Sequence, residues 1–417
     1  MINVIKKINT VKKTRSMLDD KESTAFINNL SVANGKISTG YTVKVSEKML
    51  APIEILSGLS ALNRHFIYCY NKAIYECIDN DCTIVGMSET YPSIAIFTDK
   101  GEEKILIAGG TTAGYVLSSN GMTVVDLYEV EKMAFHAGRL FTSLKNTITF
   151  SKLYEFTDTE ISFPPDGTIF IPEHFGEIEY MCSLEGNLCV FTSSTIFLVS
   201  CDGDSIDFKL KRLKDVHLSI DKDTAIKVCD SVFFFQKGKF YKYSNGNINP
   251  VSTVFDSGEY KIIGKCVSGK GKYYIPVSFK GKKGIYIFDS ISNRDSILEY
   301  ANPIISDDGY IFDESVGFVS AISKSDSETG AEKTWRSIKT DFGSIKNKVV
   351  NKIFVNSKTD CSLTILGDFG NVNFKVLSGN NEFTVSLPSK KYEFILNFDS
   401  ADFRVENLTV EYREREK

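Results

Sequence analysis

Histidine is scarce in this sequence. Only His65, His136, His174 and His217 occur among 417 residues, and none stands in an HxH or HExxH spacing or beside a cysteine cluster. The common zinc arrangements are therefore not expected. Cys77 and Cys82 do not match C-x-x-C spacing either. The cysteines number nine, an odd count without tight pairing. A secreted disulfide framework is normally even and denser, so most are expected as small buried apolar residues in a reducing compartment. No apolar run approaches the roughly 18 residues of a membrane-spanning helix. The opening Met-Ile-Asn-Val-Ile turns basic without an apolar h-region, so no signal peptide and no membrane partner are expected, and a soluble protein made in a cytoplasm is.

Nine prolines and a single tryptophan contrast with 30 phenylalanines and 19 tyrosines. Aromatic and β-branched residues favour strands. The net charge of −4 is uneven: residues 1–15 carry Lys6, Lys7, Lys12, Lys13 and Arg15 and no acid. From 335 onward there are 13 basic and 11 acidic residues, which leaves 31 basic against 42 acidic in 16–334. An acidic body excludes wholesale nucleic-acid binding.

What fills the chain is short apolar runs broken by Gly, Asn, Asp and Ser. Val232 to Phe235 and Lys239 to Tyr243 read as two strands meeting at Gln236-Lys237-Gly238-Lys239, with a second turn at Asn245-Gly246. Leu188–Val199 and Lys272–Phe288 repeat the strand–turn–strand order. No stretch shows sustained 3.6-residue apolar spacing with caps at both ends, and Ile53–Asn63 holds a helical turn at most. Comparable units start near Ile53, Tyr91, Lys132, Glu177, Ala225 and Tyr260, at offsets of 35 to 48 residues. A four-stranded propeller blade takes about 40–45 residues. The sequence predicts an all-β fold: a degenerate, about six-bladed β-propeller with a small C-terminal β-sandwich-like domain. A pair of β-sandwiches is the alternative, because it too spaces strands regularly. The expected division is 1–50 for an N-terminal arm with leading strands, 51–300 for the propeller, 301–334 for a linker or closing segment, and 335–417 for the C-terminal β-domain. Six alternating strands between Lys352 and Tyr412 support the last.

Three segments invite a chemical reading. Asp202-Gly-Asp-Ser-Ile-Asp207 has the alternating acids of half a calcium loop, but position 6 lacks glycine and position 12 is Leu213 in place of glutamate. A turn accounts for it better, and whether Asp202 and Asp204 hold an ion stays open. Ser325-Asp326, Gly330 and Thr334-Trp335 resemble a stretched Asp-box of sialidase-type propellers, in one copy. Gly109-Gly110-Thr-Thr-Ala-Gly114 follows a strand, but a phosphate cradle needs a helix after it, and Tyr115–Gly121 reads as strand and turn. No catalytic residue, metal site or cofactor is expected, and the chain is not expected to be an enzyme. The basic arm Lys6, Lys7, Lys12, Lys13 and Arg15, interleaved with Ile5, Ile8 and Val11, is either a solvated tail or a segment that docks on an acidic neighbour or touches DNA phosphates.

Two stretches carry a family resemblance. Ala134-Phe-His-Ala-Gly-Arg-Leu-Phe, Thr147-Ile-Thr-Phe-Ser, Gly167-Thr-Ile-Phe-Ile-Pro, Glu177 to Phe191 and Ser194 to Val199 follow one another in the order found in β-propeller hub and nozzle proteins of tailed bacteriophages. Phe26 to Ile37 is similar to the leading segment of those proteins. The resemblance covers about a quarter of the chain and implies a structural virion subunit of the neck, tail hub or nozzle (a head–tail connector). It implies a homo-oligomeric ring, often six-fold, that contacts copies of itself and neighbouring connector or tail proteins around the DNA channel. It would be assembled in the host bacterial cytoplasm. An acidic lumen would repel phosphates and let DNA slide. The alternatives are a tail-tip receptor- or glycan-binding propeller and, third, a glycosidase-type enzyme, which needs two carboxylates about 5–10 Å apart.

Overall fold

The computed structural model describes all residues except 1–11, 19–23, 34–35, 40, 49–54, 63, 79–80, 158, 202–207, 214–217, 302–303, 307–309, 314–317, 325–332, 401–402 and 415–417. Among the described residues the regular structure is strand, apart from two 3-10 turns at Glu173–Phe175 and Val254–Ser257. The helical turn allowed near Ile53–Asn63 is instead the strand Ile55–Ala61.

The chain is an all-β propeller joined to a β-sandwich. Each blade is an antiparallel meander, and five blades are contiguous in sequence. Their innermost strands begin at Ile55, Ser93, Lys132, Ile178 and Ile226, within two residues of the expected repeat. The local cause is turn chemistry. In blade five the strands Ser231–Gln236 and Lys239–Ser244 are joined through Lys237 (φ 51°) and Gly238 (φ 73°). The next hairpin turns through Asn245 (φ 50°) and Gly246 (φ 72°). Two successive left-handed residues match the strand twist and close the hairpin tightly.

Blade six consists of Val267–Gly269, Lys272–Phe279, Lys282–Asp289 and Arg294–Glu299. A seventh sheet then follows, one more than the expected six or so. Ile304–Ile305, Tyr310–Asp313 and Phe318–Lys324 are completed by Tyr41–Lys48, with Phe318 opposite Lys48 and Lys324 opposite Tyr41. The repeat hides this blade because its outer strand lies more than 250 residues away in sequence. Seven apolar seams close the ring. Leu59, Phe66, Ile105 and Leu117 join blades one and two, while Tyr274, Ile287 and Ile305 join six and seven. Ile55, Ile67 and Tyr75 pack with Ile304, joining seven back to one. Blades one to six thereby bury both faces, which a lone meander cannot do, and blade seven packs on its two neighbours through Ile304 and Ile305.

The sandwich draws on both ends of the chain. One sheet orders Thr24–Asn28, Lys333–Ser337, Tyr392–Phe398, Cys361–Gly367 and Gly370–Val376. The facing sheet contains Leu30–Ala33, Lys36–Thr39, Arg404–Glu414, Lys348–Ser357 and Gly379–Ser389. This second sheet is not separate from the propeller. Leu30, Ser31 and Val32 pair with Ile297, Ser296 and Asp295 on the outer strand of blade six, so one eleven-stranded sheet runs through both modules. A single core follows it, from Phe235, Phe240 and Tyr286 through Phe26 and Ile27 to Trp335, Leu396 and Val410.

Candidate functional site: the propeller channel

The innermost strands of blades one to six, with the residues just before them, line a central cavity of about 590 Å³. Its wall is mixed in charge. Lys132 of blade three stands 3.7 Å from Asp223, which precedes blade five, and Glu179 of blade four lines the same space. Burial raises the Glu179 pKa above the ordinary carboxylate value, Lys132 opposes that shift, and Asp223 adds to it. A half-buried carboxyl held up by desolvation beside an ion pair makes this cleft a candidate site, although structural ion-pair networks shift pKa values in the same way.

A belt of polar contacts ties the blades around this channel. The Lys227 ammonium donates to the Ser183 carbonyl at 2.7 Å, and the Lys227 backbone N–H donates to the Tyr180 hydroxyl at 3.0 Å. Ser183 Oγ lies 2.8 Å from His136 Nδ1, which links blades three, four and five. Across the closing seam, Ser60 Oγ is 2.9 Å from His65 Nδ1 and 2.7 Å from Ser306 Oγ. Two of the four histidines therefore sit in inter-strand contacts; His174 is exposed in a 3-10 turn, and His217 lies outside the described residues.

The channel residues Lys132, Glu179, Asp223, Lys227 and Lys265 were not singled out from sequence. They belong to the innermost strands or the residues just before them, recurring with the blade period. Phasing the repeat by its innermost strand would have aligned them.

Of the basic arm, Lys6 and Lys7 lie outside the described residues. Lys12, Lys13 and Arg15 form part of the strand Lys12–Ser16, which pairs antiparallel with Arg404–Glu414, and Arg15 is exposed. Asp202, Asp204 and the Ser325–Gly330 segment lie outside the described residues. Trp335 is wholly buried in the sandwich core. Gly109-Gly110 is the turn between Glu102–Ala108 and Ala113–Ser118, as expected of a hairpin. A Cβ on Gly109 would meet Ser88 Oγ and the Pro92 backbone, so its glycine serves close packing. All nine cysteines are thiols, and seven are buried; Cys82 is half-buried and Cys229 exposed.

No protein-family model matches the chain, and no curated protein does. Solved structures share its backbone more loosely. The computationally designed Ika8 protein is 10% identical at a TM-score of 0.39, over 74% of this chain and 100% of that one. The extracellular domain of the one-component system protein BT4673 from B. thetaiotaomicron is 12% identical at 0.43, over 89% of this chain and 61% of that one. BBS1N, solved in complex with ARL6DN, is 8% identical at 0.43, over 69% and 98%. At these TM-scores the likenesses carry no functional argument.

Proposed function

We propose that this chain is a structural, non-enzymatic subunit of a tailed bacteriophage or phage-like particle, placed in the neck, tail hub or nozzle and repeated in a ring around the DNA channel. The observation that carries the reading is the eleven-stranded sheet with its shared core. A subunit that transmits load between stacked rings needs two docking modules held at fixed geometry, and a sheet running through both modules supplies that. Linked domains that meet through small polar interfaces move relative to one another by default. In the sandwich, Phe369 and Ile345 are 79% and 91% exposed, and Phe369 directly follows Asp368, which pairs with Lys339. Large exposed apolar side chains rimmed by charge suit a protein contact. Resemblance of the Ala134–Val199 region to hub and nozzle propellers supplies the particle type. In this reading the basic arm docks on the acidic body of the next copy, and the acidic body keeps DNA mobile. Negative-stain images of the purified full chain test it. Rings, or rings formed on adding connector proteins of the same particle, support it, whereas monomers under both conditions with no labelling of particles by specific antibody would sink it.

A receptor- or glycan-binding role at a tail tip is favoured by one feature. Tyr70 on blade one and Tyr91 on its connection to blade two are exposed, next in sequence to the paired Lys72 and Glu89, and Tyr91 packs edge-on against Tyr68 at 5.9 Å. Aromatic faces next to paired charges suit sugar stacking. Retention on cell-wall polysaccharide that is lost in Tyr70→Ala and Tyr91→Ala would move the assignment to this role.

A further inference from the structure

The hairpin that forms the outer half of blade one brings two thiols together. Cys77 on Ala73–Ile78 is directly opposite Cys82 on Asp81–Met87, and their sulfurs are 3.5 Å apart, one thiol donating to the other. Directly opposed residues of an antiparallel pair have Cβ atoms about 4.5–5.5 Å apart. A disulfide needs about 3.5–4.5 Å between them, so closing the bond asks little of the backbone. The two sulfurs are unequal. Cys77 is buried in the seam where blade one meets Ile304 of blade seven, while Cys82 is half-buried.

The geometry points to Cys77 and Cys82 as a thiol–disulfide site, whose substrate is a small disulfide such as oxidised glutathione. Cys82, the accessible partner, attacks as thiolate; one sulfur–sulfur bond forms, the small disulfide's own bond breaks, and one small thiol leaves. Cys77 then attacks the Cys82 sulfur, and the second small thiol leaves with the resulting disulfide closed across the hairpin. In sum, two protein thiols and one small disulfide give one protein disulfide and two small thiols. The contact with Cys82, together with burial, holds the proton on Cys77, which favours Cys82 as the first nucleophile. The product would staple blade one at the seam that closes the ring. This site stands independently of the proposed function.

A second opposed pair provides an internal control. Cys182 and Cys189 also face each other across a hairpin, but both are buried, and burial raises both pKa values. The test uses the full chain with exposed Cys229 replaced by serine, equilibrated in glutathione buffers of increasing oxidation. Peptide mapping of the native protein should show a Cys77–Cys82 cross-link with loss of two hydrogens, and Cys182 and Cys189 still reduced. Cys77→Ser should trap glutathione on Cys82, and Cys82→Ser should leave Cys77 unmodified. Failure of the cross-link at the most oxidising buffer, its appearance only in denaturant, or glutathione trapped on Cys77 would overturn the assignment.

Discussion

Blades one to five and the rest of the molecule are built on opposite plans. Each of the first five is one continuous stretch whose hairpins pair nearest neighbours. Blade seven and the sandwich pair segments that are hundreds of residues apart: Tyr41–Lys48 with Phe318–Lys324, and Thr24–Asn28 with Lys333–Ser337. The N-terminal stretch from Thr24 to Lys48 thus contributes to the sandwich, extends blade six and completes blade seven. Local blades can form by short loop closures, whereas the closing elements carry the larger chain-entropy cost and must repay it with long-range contacts. The Thr24–Lys48 stretch and the shared core tie the two modules together, which predicts that they unfold as one cooperative unit.

The largest expected effect comes from a core truncation far from the sandwich. Phe234→Ala removes a fully buried ring between blades four and five and should cost about 3–5 kcal/mol. If the modules unfold together, the denaturation midpoint read from Trp335, the chain's one tryptophan, falls as far as that of the whole chain. A Trp335 signal indifferent to Phe234→Ala would break the comparison.

Next in size is the junction itself. The buried Tyr260 hydroxyl donates to the Ile27 carbonyl and accepts from the Ile27 N–H, both at 2.7 Å, and its ring stacks on Phe26. Tyr260→Phe leaves both backbone groups without that partner and should cost about 1–3 kcal/mol. Hydrogen exchange would sharpen the point, because faster exchange should appear on both sides of the junction, near Ile27 and near Tyr260. Loosening confined to the propeller would argue against a shared core.

The smallest effects form a pair of opposite sign, one in each region. Asp368 in the sandwich is held below the usual carboxylate range, chiefly by the Ser389 hydroxyl and then by the backbone N–H of Lys391, with help from Lys339 and Lys390. A lowered folded-state pKa gives stability above the unfolded value that is lost as pH falls through the folded one. Asp368→Asn should therefore lower the urea midpoint at neutral pH and converge on the parent in strong acid. Glu179 in the channel is raised, chiefly by burial. Its charged form carries a cost above the folded-state pKa that disappears below the unfolded one. Glu179→Gln should raise the midpoint slightly at neutral pH and lose that advantage as the pH drops. Asp368 is exposed and Glu179 only half-buried, so solvent screening should keep both effects small.

Much of the local architecture was legible in sequence. Lys237-Gly238 and Asn245-Gly246 mark their turns through residues that tolerate positive φ, and the innermost strands of five blades start where the repeat places them. Blade seven was hidden because three of its strands lie in a polar, turn-rich stretch and the fourth lies near the N-terminus. Pairing partners that remote leave no periodic trace. The channel residues were missed for a related reason: Lys132, Glu179 and Asp223 each look like ordinary surface charge until the ring brings three blades together. Cys77 and Cys82 show no motif spacing, because a cross-strand pair owes its proximity to hairpin register.

The claim that propeller and sandwich form one unit is tested most directly by urea unfolding followed with two probes on the same sample. Trp335 fluorescence reports the sandwich core, and far-ultraviolet circular dichroism reports all the strands. Coincident transitions are predicted, and a Trp335 transition separated from the circular-dichroism transition would contradict the claim.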